Sequence, residues 1–145
     1  MEIYSIGFTQ KSASEFFGTL KAHGIERLLD VRLNNTSQLA GFAKQADLPY
    51  FLRELCGATY EHEPLLAPTQ NILDAFKKKK GDWNVYEEAF LSLMRSRKIE
   101  SRIDKESFKR KTVLLCSEPT AEHCHRRLVL EYLQSQWADV TILHL

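Results

Sequence analysis

The stretch Thr112-Val113-Leu114-Leu115-Cys116-Ser117-Glu118 decides the fold. Its apolar run, Val113 to Cys116, is typical of a parallel strand that is buried on both faces. Polar residues then follow, and the pattern over residues 120–136 predicts a helix with Thr120 as its N-cap. A buried strand that leads directly into a helix indicates an α/β fold.

The beginning of the chain shows the same alternation of strand and helix. Residues 2–8 and 28–32 predict two strands, and a helix between them starts at a capping box formed by Ser12 and Glu15. The helix ends at His23-Gly24. A strand, a helix and a strand in this order form a βαβ unit, which implies a parallel sheet with a right-handed crossover.

The rest of the chain completes a single α/β domain over residues 1–145, without repeats or low-complexity linkers. The polar stretch from Leu33 to Lys44 predicts a long loop, of a kind that often carries function. We predict a three-layer sandwich around a mainly parallel sheet, Rossmann-like or flavodoxin-like. Further helices are predicted after Asp47, Thr69 and Asp82, and further strands at 59–63 and 140–143.

The composition excludes several classes of protein. Hydrophobic residues make up 43% of the chain and charged residues 27%, as in soluble globular domains and unlike disordered chains. No segment has the roughly 18 apolar residues of a membrane span, and the N-terminus lacks the features of a signal peptide. Three cysteines at irregular spacing do not form a disulfide framework. We therefore expect a cytoplasmic protein without a membrane partner.

The net charge of +1 conceals an uneven distribution. Residues 95–111 contain eight basic and three acidic side chains, and residues 77–80 are four consecutive lysines. Such segments form either a nucleic-acid footprint or ordinary solvated surface. Phe108 is the only aromatic residue within 95–111, so base stacking has little support there.

Polar and reactive residues follow the three predicted strands that open the chain or form its core. In an open parallel sheet, ligands bind beyond the carboxyl ends of the strands. We therefore expect these residues to converge at one edge of the sheet. They are Thr9 after the first strand, Asp30, Arg32, Asn34 and Ser37 after the second, and Cys116 and Glu118 after the third.

The predicted helix after residue 120 adds candidates at the same edge. On a helical wheel His125 lies in the apolar face, which directs it toward Cys116 and Glu118. Cys124 borders that face, and Arg126 lies near its boundary, where it would support an anion at the helix N-terminus.

Structural roles remain open alternatives for these residues. His125 would then be a hydrogen-bonded core histidine, Cys116 a small core residue, and Asp30 with Arg32 an internal ion pair.

A metal site is not expected, although Cys116, His123, Cys124 and His125 are close in sequence. The seven-residue gap between the two cysteines does not match usual zinc spacing. Adjacent helical residues also point about 100° apart. We expect neither a metal ion nor another cofactor.

Several motifs give the chain a family resemblance. They are Ser5-Ile6-Gly7-Phe8-Thr9, residues 30–37, Leu115-Cys116-Ser117-Glu118 and His123-Cys124-His125-Arg126-Arg127. With them the chain resembles the domain-of-unknown-function family DUF-488 over nearly its whole length. The family more often has His or Tyr at position 8, Pro at position 35 and Leu-Gly-Gly at 66–68. Because the family has no established activity, the resemblance implies a fold and a set of residues without a reaction.

These observations favour a small enzyme or enzyme-like domain that binds a phosphate-bearing or nucleotide-like ligand at the carboxyl edge of its sheet. Glu118 or Asp30 would act as base or nucleophile, His125 would orient or transfer a proton, and Cys116 is the alternative nucleophile. Ligand-binding candidates are Arg32, Arg126, Cys124, Thr9, Asn34 and Ser37. The alternatives are a nucleic-acid-binding module that uses 77–80 and 95–111, and a regulatory or scaffold domain.

Overall fold

A five-stranded sheet runs through the centre of the computed structural model, which describes residues 1–145. All neighbouring strands are parallel, in the order β3-β2-β4-β1-β5. Every carboxyl end therefore lies at the same edge of the sheet. The strands are β1 (Glu2–Gly7), β2 (Arg27–Asp30), β3 (Thr59–His62), β4 (Thr112–Cys116) and β5 (Thr141–His144).

Six α-helices cover the two faces of this sheet, so the predicted three-layer α/β sandwich is confirmed. Helices α1 and α2 pack with one core cluster, and α4 and α6 pack with the other. None of the helices has the length and hydrophobicity that a membrane span requires. The helices are α1 (Ala13–Ala22), α2 (Leu48–Cys56), α3 (Gln70–Lys77), α4 (Trp83–Arg97), α5 (Ile99–Arg102) and α6 (His125–Gln136).

Three predicted helix starts are confirmed by side-chain caps. Ser12 accepts a hydrogen bond from the Glu15 amide, Thr69 from the Ile72 amide, and Asp82 from the Asn84 amide. Asp47 precedes α2 without making such a bond. The predicted loop over 33–44 contains a 3₁₀ helix at Gln38–Ala43, which the Ser37 hydroxyl caps.

The prediction that Thr120 caps the last helix is wrong. Residues 117–123 form bends and turns, and α6 begins only at His125 with Cys124 as its N-cap. The reason is tertiary packing, because the chain after β4 crosses the end of β1. There the Glu118 carbonyl lies against Gly7 and accepts a hydrogen bond of 2.8 Å from Arg126 Nη1.

Candidate active site

A cleft of about 200 Å³ opens at the carboxyl ends of β2 and β4. Loop 117–123, the chain after β2, and helices α3 and α4 enclose it. Its floor carries two thiols and an imidazole, one wall is aromatic, and the rim carries charged and amide groups. The floor is formed by Cys116, Cys124 and His125. The aromatic wall is formed by Phe76, Trp83, Tyr86 and His123, and the rim by Arg32, Asn34, Lys77 and Glu118.

The three side chains of the floor are more than nine-tenths buried. The two sulfur atoms and a ring nitrogen of His125 lie within 4.8 Å of one another. His125 Nε2 lies 2.7 Å from the Val31 carbonyl oxygen, which can only accept, so Nε2 carries the ring proton. Burial lowers the pKa of His125 and favours this neutral ring. Cys116 Sγ lies 3.5 Å from Nδ1 and 3.9 Å from Nε2. Because Nε2 carries the proton, Nδ1 is the nitrogen that can accept a hydrogen bond from the Cys116 thiol, and His125 also ties the beginning of α6 to the chain after β2.

The surroundings of Cys116 favour its thiolate. The neighbouring Cys124 thiol holds the pKa of Cys116 below its usual value, although burial acts in the opposite direction. The Ser117 backbone N–H and the positive charge of Arg126 lower this pKa further. The proximity of Cys116, together with burial, raises the pKa of Cys124, so Cys116 is the first of the pair to ionise.

Arg126 gives this part of the molecule an unbalanced positive charge. Its side chain is 1% exposed and donates to Ser5 Oγ at 3.1 Å and to the Glu118 carbonyl, both of which are neutral. No carboxylate lies within salt-bridge distance of it. Because buried cations are normally paired with an anion, a Cys116 thiolate is the natural counter-charge.

Asp30 lies beside the cleft in a sealed ion pair. Its carboxylate accepts five hydrogen bonds, three of them from Arg32 and one each from Asn35 and Tyr60. Burial alone would raise the pKa of Asp30, but the bonds from Arg32 and Tyr60 outweigh it and hold that pKa low. The carboxylate is saturated and fully buried, so Asp30 has no room to act as a base or nucleophile.

The other predicted site residues divide between the cleft and its surroundings. Glu118 reaches the rim, where its carboxylate forms an ion pair of 2.6 Å with Lys77. Arg126, in contrast, does not line the cleft, because its guanidinium is held under loop 117–123. Thr9 and Ser37 also lie outside the cleft: the Thr9 amide donates to the Ser117 carbonyl, and Ser37 is exposed.

The matched region of a known family covers everything that lines this cleft. The family model for the domain of unknown function DUF488 matches residues 12–133. The chain belongs to the DUF488 family. No curated protein and no solved structure matches it.

The aromatic wall of this DUF488 protein was not predicted from the sequence. The Trp83 ring stacks on His123 with centroids 4.8 Å apart, and on Tyr86 with centroids 5.0 Å apart. No sequence signal indicated that the beginning of α4 reaches the edge of the sheet, whereas the lysine run did draw attention to Lys77.

Cys124 and His125 do not diverge in the way expected of two helical neighbours. Cys124 precedes α6 and has extended backbone angles, with φ −138° and ψ 138°. This conformation turns its thiol to the same side as the His125 ring, and all three groups of the floor meet. Cys124 and His125 are therefore not related by the turn of about 100° that separates consecutive helical residues.

The basic segment 95–111 uses half of its eight cationic side chains within the fold. Arg97 donates to the carbonyls of Leu65 and Ala67, each at 2.7 Å. Three more cations of this segment form ion pairs: Lys105 with Asp139, Lys109 with Glu106, and Arg110 with Glu61. Binding to nucleic acid stays a prediction, as does a scaffold role.

Proposed function

We propose that this protein is a thiol-dependent enzyme in which Cys116 attacks a phosphate-bearing or nucleotide-like ligand bound in the cleft. One observation carries the proposal: the thiol ends the central strand at the floor of the cleft, in surroundings that favour its thiolate. Electropositive surroundings lower the pKa of a thiol and so favour its nucleophilic form.

Among the predicted nucleophiles and bases, Cys116 has the strongest support. Asp30 is saturated by its five hydrogen bonds, and Glu118 is held by Lys77. The N-terminus of α6 also lies at this edge, and its dipole favours negative charge there. Both the thiolate and an anionic ligand would benefit from that field.

The walls of the cleft support a ligand with a planar part and an anionic part. A planar group would extend the stack that Trp83 forms with His123, as aromatic rings favour. Lys77 is about half exposed at the rim and pairs with Glu118, so a phosphate would compete with that carboxylate. A nucleoside monophosphate combines both parts.

The proposed step is a nucleophilic substitution. The Cys116 sulfur forms a bond to the electrophilic atom of the ligand, and the bond from that atom to its leaving group breaks. The leaving group keeps the electron pair of the broken bond and takes a proton from water. Attack by a second water molecule on the thiol-bound intermediate releases the product and regenerates Cys116.

Alkylation kinetics test the reactivity of Cys116. We expect iodoacetamide to modify Cys116 faster than Cys56 at pH 7, because the thiolate is the reactive form and the pKa is lowered at Cys116 and raised at Cys56. The pKa of Cys56 is raised by burial, so its rate should rise at a higher pH than that of Cys116. Peptide mass spectrometry over a pH series measures both rates in one sample.

Two variants serve as controls for this experiment. Cys124→Ala removes the neighbouring thiol that lowers the pKa of Cys116 and should move the pH midpoint of Cys116 upward, while Cys116→Ser should leave the rate at Cys56 unchanged. Equal rates at Cys116 and Cys56 in the unmodified chain would overturn the proposed function.

Protection by adenosine monophosphate tests the nature of the ligand. We expect the nucleotide to slow alkylation of Cys116 without affecting Cys56, and adenosine to protect less. Lys77→Gln should raise the nucleotide concentration that gives half-maximal protection about two- to fivefold. This is the effect of losing one partly exposed ion pair. Lys78→Gln is the matched control, because Lys78 pairs with Asp74 and does not line the cleft. Equal protection by adenosine and its monophosphate would contradict a phosphate-binding role.

A further inference from the structure

Two thiols share the floor of the cleft, and only one of them, Cys116, is the proposed nucleophile. Cys116 and Cys124 both line the cleft, and their sulfurs lie within 4.8 Å of each other. The third thiol, Cys56, packs with the core cluster on the opposite face of the sheet, where it donates to the Phe17 carbonyl. Within one molecule, only Cys116 and Cys124 are placed to react with each other.

The connection between these two cysteines can accommodate a bond. A disulfide requires the sulfurs to approach to about 2.05 Å. Residues 117–123, which join Cys116 to Cys124, contain neither helix nor strand, and most of them are partly or fully exposed. The required movement can therefore occur in this loop and in the two side-chain torsions, while β4 and α6 keep their places.

We propose that Cys124 is a resolving thiol, which condenses with Cys116 after a hydroperoxide has oxidised Cys116. In the first step the Cys116 sulfur bonds to a peroxide oxygen, the O–O bond breaks, and the departing oxygen leaves as hydroxide. In the second step the Cys124 sulfur attacks Cys116, the S–S bond forms, and the sulfenic oxygen leaves as water with the Cys124 proton. The two thiols lose two electrons, which the peroxide gains, and an external thiol reverses the reaction.

The inference rests on the proposed function, because it assigns a regulatory partner to the same reactive thiol. The disulfide removes the nucleophile and reshapes the loop at the floor of the cleft, so the oxidised protein is inactive. It also protects Cys116 from further oxidation to sulfinic acid, which small thiols do not reverse. Cys124 thus has two roles: it lies beside the Cys116 thiol in the reduced state and closes the site in the oxidised state.

Oxidation of the full chain with hydrogen peroxide tests the proposal. The reduced protein, kept in a metal chelator, is exposed to peroxide, its remaining thiols are blocked with N-ethylmaleimide, and non-reduced peptides are mapped by mass spectrometry. We expect a Cys116–Cys124 disulfide, one maleimide adduct at Cys56, and full reversal by dithiothreitol. Cys56→Ser, the matched cysteine variant, should form the same disulfide.

The Cys124→Ser and Cys124→Ala variants give the opposing result. In both we expect no disulfide, a Cys116 sulfenic acid that dimedone traps, and slow conversion to a sulfinic acid that dithiothreitol does not reverse. The resolving role is overturned if the unmodified chain accumulates sulfenic acid without a disulfide, or if Cys56 supplies the partner. Slow alkylation of Cys116 together with a normal disulfide would instead remove the proposed function and leave Cys124 as a resolving thiol.

Discussion

Replacement of Asp30 by asparagine should lower the free energy of unfolding by about 3–5 kcal/mol, the cost of breaking a buried ion pair from one side. The amide loses the charge that neutralises Arg32, which is 3% exposed, and presents an NH₂ group to donors that need an acceptor. Since domains are stable by about 5–15 kcal/mol, this is a large fraction of the total. Urea denaturation of the two proteins measures the difference.

Three comparisons make the Asp30→Asn result specific. Asp47→Asn alters an exposed carboxylate that pairs with Lys44 at 3.0 Å and should change stability by less than about 1 kcal/mol. Tyr60→Phe removes one donor to the charged carboxylate and should cost about 1.5–3 kcal/mol. Because the pKa of Asp30 is held low, its stabilisation is present above about pH 4 and is lost as the pH falls further. A similar loss from Asp30→Asn and Asp47→Asn would show that the buried pair does not stabilise the fold.

The layered architecture of this fold could be predicted because the apolar composition of its central strand indicates that this strand is buried. The apolar run 113–116 belongs to the central strand β4, which has no solvated face because helices cover both faces of the sheet. The caps at Ser12, Thr69 and Asp82 depend on residues two or three positions away, so local sequence was sufficient. The order of the strands was not predictable, because nothing local distinguishes the neighbours of β4.

The site was predicted only in part, because its geometry depends on contacts between distant segments. The helical wheel placed His125 inward, since its apolar neighbours lie on the same helix. Arg126 was placed near the boundary, whereas its partner Ser5 lies 121 positions away and draws it into the interior. The late start of α6 has the same kind of cause, since loop 117–123 is shaped by β1. Both errors entered the prediction of an anion site at Arg126, whose guanidinium lies under loop 117–123 and does not line the cleft.

Among substitutions that add a single methyl group near the site, Gly7→Ala should destabilise the protein most. A Cβ at position 7 would lie 1.6 Å from the Glu118 carbonyl oxygen and 2.7 Å from its carbon, so the backbone of the loop must move. We expect a loss of at least about 3 kcal/mol in the free energy of unfolding, the upper end of the usual cost of overpacking. The displaced Glu118 carbonyl would also lose the hydrogen bond of 2.8 Å that it accepts from Arg126 Nη1.

The same substitution connects the first strand to the chemistry of Cys116. Gly7 pairs with Cys116 in the sheet, and the loop that it contacts carries the Ser117 N–H that favours the thiolate. Alkylation of Cys116 in folded Gly7→Ala protein should therefore slow toward the rate at Cys56. Gly18→Ala is the matched control: its Cβ would meet nothing within 4 Å in α1, so it should stabilise the protein by about 0.4–1 kcal/mol. If Gly7→Ala instead kept both its stability and its Cys116 rate, the loop would not be held against β1 in the way that the thiolate requires.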